Sequence, residues 1–129
     1  MNKIIVEVSI GELLDKITIL EIKQEKIKDP EKLKFISNEH SILKDQLNNN
    51  IKTDDKLNKL FQSLKDINSK LWVIEDDKRQ CEKDKDFGEK FIKLSRDVHF
   101  LNDDRAKIKL EINNHTGSTI KEIKDYTNY

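Results

Sequence analysis

The chain has 129 residues, with 25 basic residues balancing 25 acidic ones. Only 35% of it is apolar and 39% is charged, a balance that suits a thin helical bundle better than a thick sandwich or barrel. A neutral, interspersed surface lacks the basic stripe of a general nucleic-acid binder and the polybasic patch of a membrane anchor.

No apolar run is long enough to span a bilayer, and the opening MNKIIVEVSIGE is not a secretory signal. The single cysteine, Cys81, cannot form an internal disulfide, so the expected compartment is the cytoplasm. Three glycines and one proline are too few turn residues for an all-β fold. One helical domain over 1–129 is expected.

Residues 3–8, KIIVEV, are β-branched and read as a short strand. Ser9-Ile10-Gly11-Glu12 has capping-box spacing and opens helix 1, which runs to about Lys28. Its apolar residues wrap more than half its circumference, which predicts a central position. Asp29-Pro30 stops that helix and starts helix 2, where Leu33, Ile36, His40, Leu43 and Leu47 form the seam. The least structured stretch is expected from Asn48 to Asp55.

Helix 3, from about Asp54 to Lys83, carries a heptad rhythm through Leu57, Leu64, Leu71 and Cys81. Asp86-Phe87-Gly88-Glu89 reads as a second capping pattern before helix 4, which runs to about Asn114. The short connection predicts an antiparallel hairpin with Leu71 near Val98 and Ile67 near Leu101. Gly117 is a natural C-terminal cap. Ser118–Tyr126 reads as a second strand, whose pairing with residues 3–8 would join the termini.

No nucleophile motif, phosphate loop or dinucleotide fingerprint is present. Cys81 lies on a seam and reads as inert packing. The three histidines lack ligand spacing, and pairs such as Glu12/Asp15 and Glu122/Asp125 read as solvated faces. No metal site and no cofactor are expected.

Arg105 stands out because it occupies a seam position of helix 4 between Leu101 and Ile108. A guanidinium there has three readings. Its head can reach solvent, it can pair with a helix 1 carboxylate (Asp15 or Glu21), or it can bind an anion. One face of helix 4 carries Ser95, His99, Asn102, Ala106, Lys109 and Asn113, a polar rather than charged set that suggests contact with something polar. On helix 3, Asn68, Trp72, Glu75, Arg79 and Glu82 share a face, with Glu75 or Asp76 placed to pair with Arg79. Folding the hairpin brings Trp72 near Arg96 and His99, so both faces are expected to line one groove.

The run from Val6 to Lys23, containing GELLDKITILEIK, resembles the opening of a family of small uncharacterised bacterial proteins, a domain of unknown function. Leu71-Trp72-x-Ile74-Glu75-Asp76 with Arg79 is similar to its second motif, and Asn102-Asp103-x-Arg105-Ala106-x-Ile108-Lys109 to its third. The ending Glu122-Ile123-Lys124-Asp125-Tyr126 resembles the family's E-E-K-S-Y, with Ile123 and Asp125 as departures. His99 stands where members often have tyrosine, and Asp97 where they often have serine.

The resemblance covers nearly the whole chain and implies no activity. Its only functional implication is a connection to glycosyltransferase and surface-carbohydrate pathways. Carried over position by position, it selects Glu12, Asp15, Lys16, Glu21, Trp72, Glu75, Arg79, Asn102, Asp103, Arg105, Lys109, Lys124 and Tyr126.

The expectation is a mainly α, antiparallel four-helix bundle-like domain with a minor two-stranded β element joining the termini. Two functions compete: a binding or interaction module serving surface-carbohydrate assembly, and a small enzyme or ligand-binder for an anionic sugar or nucleotide. The candidate ligand-binding residues are Glu12, Asp15, Lys16, Glu21, Trp72, Glu75, Arg79, Arg96, His99, Asn102, Arg105 and Lys109. The candidate partners are another protein, a second copy or an anionic small molecule, with neither nucleic acid nor membrane among them.

Overall fold

The computed structural model describes residues 2–129, with helices α1 (Ile10–Lys26), α2 (Pro30–Asn50), α3 (Asp55–Asp84) and α4 (Glu89–Thr116). Each start follows from a local cap. Ser9 Oγ accepts from the Glu12 amide at 3.1 Å, Asp29 from Glu31 at 3.0 Å, and Asp54 from Leu57 at 2.8 Å. Pro30 occupies the first turn of α2, where no amide is needed.

The start of α4 differs from expectation. Asp86 does not cap the helix: its side chain accepts from the Gly88 amide at 3.1 Å, closing the turn, and Gly88 becomes the N-cap. Gly117, in the left-handed region at φ 69, ends α4 as the sequence predicts.

α1 is central, and its backbone packs against those of all three other helices. Leu14 and Ile17 meet Leu47 of α2, Leu57 and Leu64 of α3, and Ile112 of α4 in the buried core. The helices alternate in direction, an up-down-up-down arrangement. The α3–α4 register is antiparallel, with Lys78 Nζ 5.9 Å from the centre of the Phe91 ring. Farther along the hairpin, Ser69, Val73 and Ile74 share a groove with Asp97, Phe100 and Leu101. Lys78, the charged interruption of the α3 seam, thus sets its ammonium over an aromatic face.

The expected two-stranded β element is absent: the described residues contain no strand. Ile4 and Ile5 are 90% and 84% exposed, so the β-branched run covers no apolar face. A lone two-stranded ribbon is marginal without such a face. The termini are joined by side chains instead. Asn113 Oδ1 accepts from the Gly11 amide at 2.7 Å, and Ser118 Oγ from the Ile10 amide at 3.2 Å. With Ser9 on Glu12, these bonds satisfy three of the amides that the first turn of α1 would otherwise leave free.

This junction requires a glycine. A Cβ on Gly11 would lie 2.6 Å from the Lys109 carbonyl oxygen and 3.0 Å from Asn113 Oδ1. The nearest atom is helix backbone and cannot turn aside. Gly11→Ala should therefore force α1 and α4 apart and cost about 1–3 kcal/mol despite alanine's better helix propensity. Chemical denaturation of the two proteins measures this, and an unchanged or raised stability would contradict it.

Candidate functional site

Asp15 lies one turn beyond Gly11 on α1 and is 1% exposed. A carboxylate this deep needs partners. Arg105 of α4 approaches it through two nitrogens. Nε donates to Oδ1 at 3.0 Å and Nη2 donates to Oδ2, a bidentate pair. From α3, Asn68 Nδ2 donates to Asp15 Oδ1 and to Thr18 Oγ1, both at 2.8 Å. Three helices therefore converge on one carboxylate, and no buried side-chain polar atom among the described residues lacks a partner.

The Arg105 side chain is still 29% exposed. Its outer edge borders a groove of about 870 Å³ between α1, α4 and the C-terminal segment. His99, Asn102, Asp103, Ala106 and Lys109 form the α4 wall, and Glu12 contributes from α1. The far wall is the C-terminal segment, through Glu122, Lys124, Tyr126, Thr127 and Tyr129.

Side chains hold that segment down. Lys109 Nζ reaches Glu12 at 2.7 Å and Glu122 at 3.2 Å, and lies 3.8 Å from Asp15. Lys124 also pairs with Glu122. The Tyr129 hydroxyl donates to Asp103, and its ring meets Phe100 edge-on with centroids 5.5 Å apart.

These pairings set the charge states. The hydrogen bond to Asp15 outweighs burial and raises Arg105 above the usual arginine value. Burial pulls Lys109 down, but its bond to Glu12 and the nearby charges of Asp15 and Glu12 more than offset this, so it titrates above ordinary lysine. The bonds from Lys124 and Lys109 hold the Glu122 carboxyl below its ordinary 4.5.

Of the residues selected from the sequence, Glu12, His99, Asn102, Arg105 and Lys109 line the groove, together with Asp103, Lys124 and Tyr126 of the resemblance. Asp15 lies beneath, and Lys16 stands at the rim 3.8 Å from Glu12. Glu21, nominated with Asp15 as a partner for Arg105, is elsewhere. It meets His40 at 3.1 Å and Lys65 at 3.4 Å, which explains the histidine on the α2 seam.

Trp72, Glu75, Arg79 and Arg96 do not line the groove, so the two polar faces do not share it. α3 packs on the apolar seam of α4, which turns the polar face of α4 away from α3 and toward the C-terminal segment. Trp72 is half-buried. Glu75, Arg79 and Arg96 are exposed, and the expected Glu75–Arg79 and Asp76–Arg79 pairs do not form.

Sequence reasoning missed Glu122 as the counterion of Lys109, and Thr127 and Tyr129 as wall residues. The signal for Glu122 was its place in the E-E-K-S-Y-like ending. No group of His, Cys, Asp or Glu among the described residues is arranged to hold a metal, and no helix among them is long and apolar enough to cross a membrane.

Residues 4–129 match the family of unknown function DUF6165. The chain belongs to that family. No curated protein and no solved structure matches it. The DUF6165 match spans α1, α4 and the C-terminal segment, so all the groove residues lie inside the family's domain.

Two outcomes test this site. Arg105→Ala should cost about 3 kcal/mol by stranding Asp15, whereas Asp15→Leu combined with Arg105→Met should recover most of that loss. Equal destabilisation by both in urea titrations would argue against the buried pair.

The second outcome concerns pH. A carboxyl with a depressed folded value contributes stability that is present above its unfolded value and lost as pH falls through the folded one. The C-terminal segment should therefore stay docked at pH 5 and release only as pH falls below Glu122's ordinary 4.5. Amide exchange over 118–129 reads this, and Glu122→Gln should release the segment at neutral pH.

Proposed function

We propose that this DUF6165 protein is a binding module whose groove takes a small anionic sugar or nucleotide. Arg105 carries the reading. Asp15 fixes its Nε and one terminal nitrogen, while the rest of the guanidinium borders the groove beside Lys109 and Lys124. An arginine locked by a buried acid is preorganised to receive a second anion, because little rotamer freedom remains to be lost.

The remaining groups fit a hydroxyl-bearing ligand. Glu12, Asp103 and Asn102 offer acceptors for sugar hydroxyls, and Tyr126 and Tyr129 offer ring faces. A volume of about 870 Å³ lies within the range of small-molecule sites. Glu12, Asp15 and Glu122 already neutralise the strongest cations, which favours holding a ligand over driving its reaction. A sugar-phosphate ligand also suits the surface-carbohydrate connection that the resemblance implies.

Melting temperatures in the presence of glucose 1-phosphate, UDP-glucose, UMP and neutral glucose test the reading. The anions should raise the melting temperature and glucose should not. Lys124→Ala, at an exposed position, should leave the unliganded melting temperature unchanged and weaken the anions about tenfold. If none of the anions shifts the native protein, the groove is not such a site.

A further inference from the structure

The N-terminal arm and one side of the α3–α4 hairpin both carry exposed apolar side chains. Residues 2–8 form neither helix nor strand and are exposed, Ile4 at 90%, Ile5 at 84% and Val6 at 69%. Three consecutive branched side chains in water are costly. On the hairpin, Val73, Phe100 and Leu101 line an open, mainly apolar groove of about 660 Å³. Val73 and Phe100 are 49% and 45% exposed.

We infer that the arm of one chain docks in the hairpin groove of a second copy, and the arm of that copy in the groove of the first. Charge supports the match. The apolar run Ile4-Ile5-Val6 is followed by Glu7, and the groove is bracketed by Lys26 and Lys70, which pair with no acid among the described residues, while Asp97 at its other side is held by Lys93 at 2.7 Å. Docking sets Glu7 toward the two lysines.

Reach supports exchange between chains. The arm leaves the bundle where α1 begins, and the groove lies beside Lys26, where α1 ends. The 17 residues of α1 separate these points by about 24 Å. Seven extended residues span at most about 25 Å, so the arm's own groove is at its limit even if it ran straight back along the bundle. Two copies lying side by side, head to foot, bring each arm to the other's groove without that strain. The contact is isologous and closes as a two-fold dimer.

Sedimentation velocity of the full chain, from micromolar to near-millimolar concentration, tests the exchange. The native protein should sediment as a dimer at the upper end. Ile5→Asp in the arm and Val73→Glu in the groove should each give a monomer with unchanged helix content by circular dichroism. The first residue lies outside every helix, and the second is an exposed position where glutamate is a good helix former.

A peptide of residues 2–9 should bind the Ile5→Asp chain, whose groove is intact, and bind Val73→Glu at least tenfold more weakly. Three results would overturn the inference: a native chain that stays monomeric throughout, a dimer that survives either substitution, or a peptide that binds both variants equally.

Discussion

Asp15 is the residue on which the arrangement depends. A carboxylate with 1% exposure is stable only inside a complete set of donors. Those donors come from two other helices, Arg105 on α4 and Asn68 on α3. Hydrophobic contact alone would let α1, α3 and α4 slide against one another, since Leu and Ile pack acceptably in several registers. The directional bonds to Asp15 select one. Gly11, one turn earlier, has no side chain to meet the Lys109 carbonyl and so lets α1 come close enough to make them.

The same geometry explains why a groove exists. Arg105 reaches inward, so the polar face of α4 beyond it is not covered by a helix. The C-terminal segment covers it instead, using Glu122 and Tyr129 as attachment points. That wall is an extended chain held by ion pairs and one ring contact. Partly exposed ion pairs contribute little individually, so this is the part of the fold that can open at least cost.

Much of this was legible in the sequence, and the limits have physical causes. The helices follow from period and caps, because Ser9, Asp29-Pro30 and Gly117 act through bonds to their near neighbours. Arg105 could be singled out because a guanidinium on an apolar seam must find an acid, and Asp15 was one of two acids within reach. The terminal segments could not be read in this way. A run of Ile and Val reads as a strand whether or not a face exists for it to cover, and here none does. Glu122 has no periodicity to mark it, and its partners lie 13 residues away on α4 and two residues on. The helix 3 motif around Trp72 was read correctly as a helix face, but its orientation depends on which side of α4 the hairpin closes, which a sequence pattern does not specify.

The bonds that complete the domain link its first and last parts. Asp15 and Arg105 are 90 residues apart, Glu12 and Lys109 are 97 apart, and Ile10 and Ser118 are 108 apart. The α3–α4 hairpin, by contrast, closes over a few residues. On a ribosome, α1 emerges early carrying a carboxylate whose arginine has not yet been made. Until α4 has been made as far as Arg105, that acid lacks its arginine and is held in water. A chain that stops short of Arg105 holds only the first part of α4 and lacks the donor that Asp15 needs, so α1 settles only when both helices of the hairpin are present.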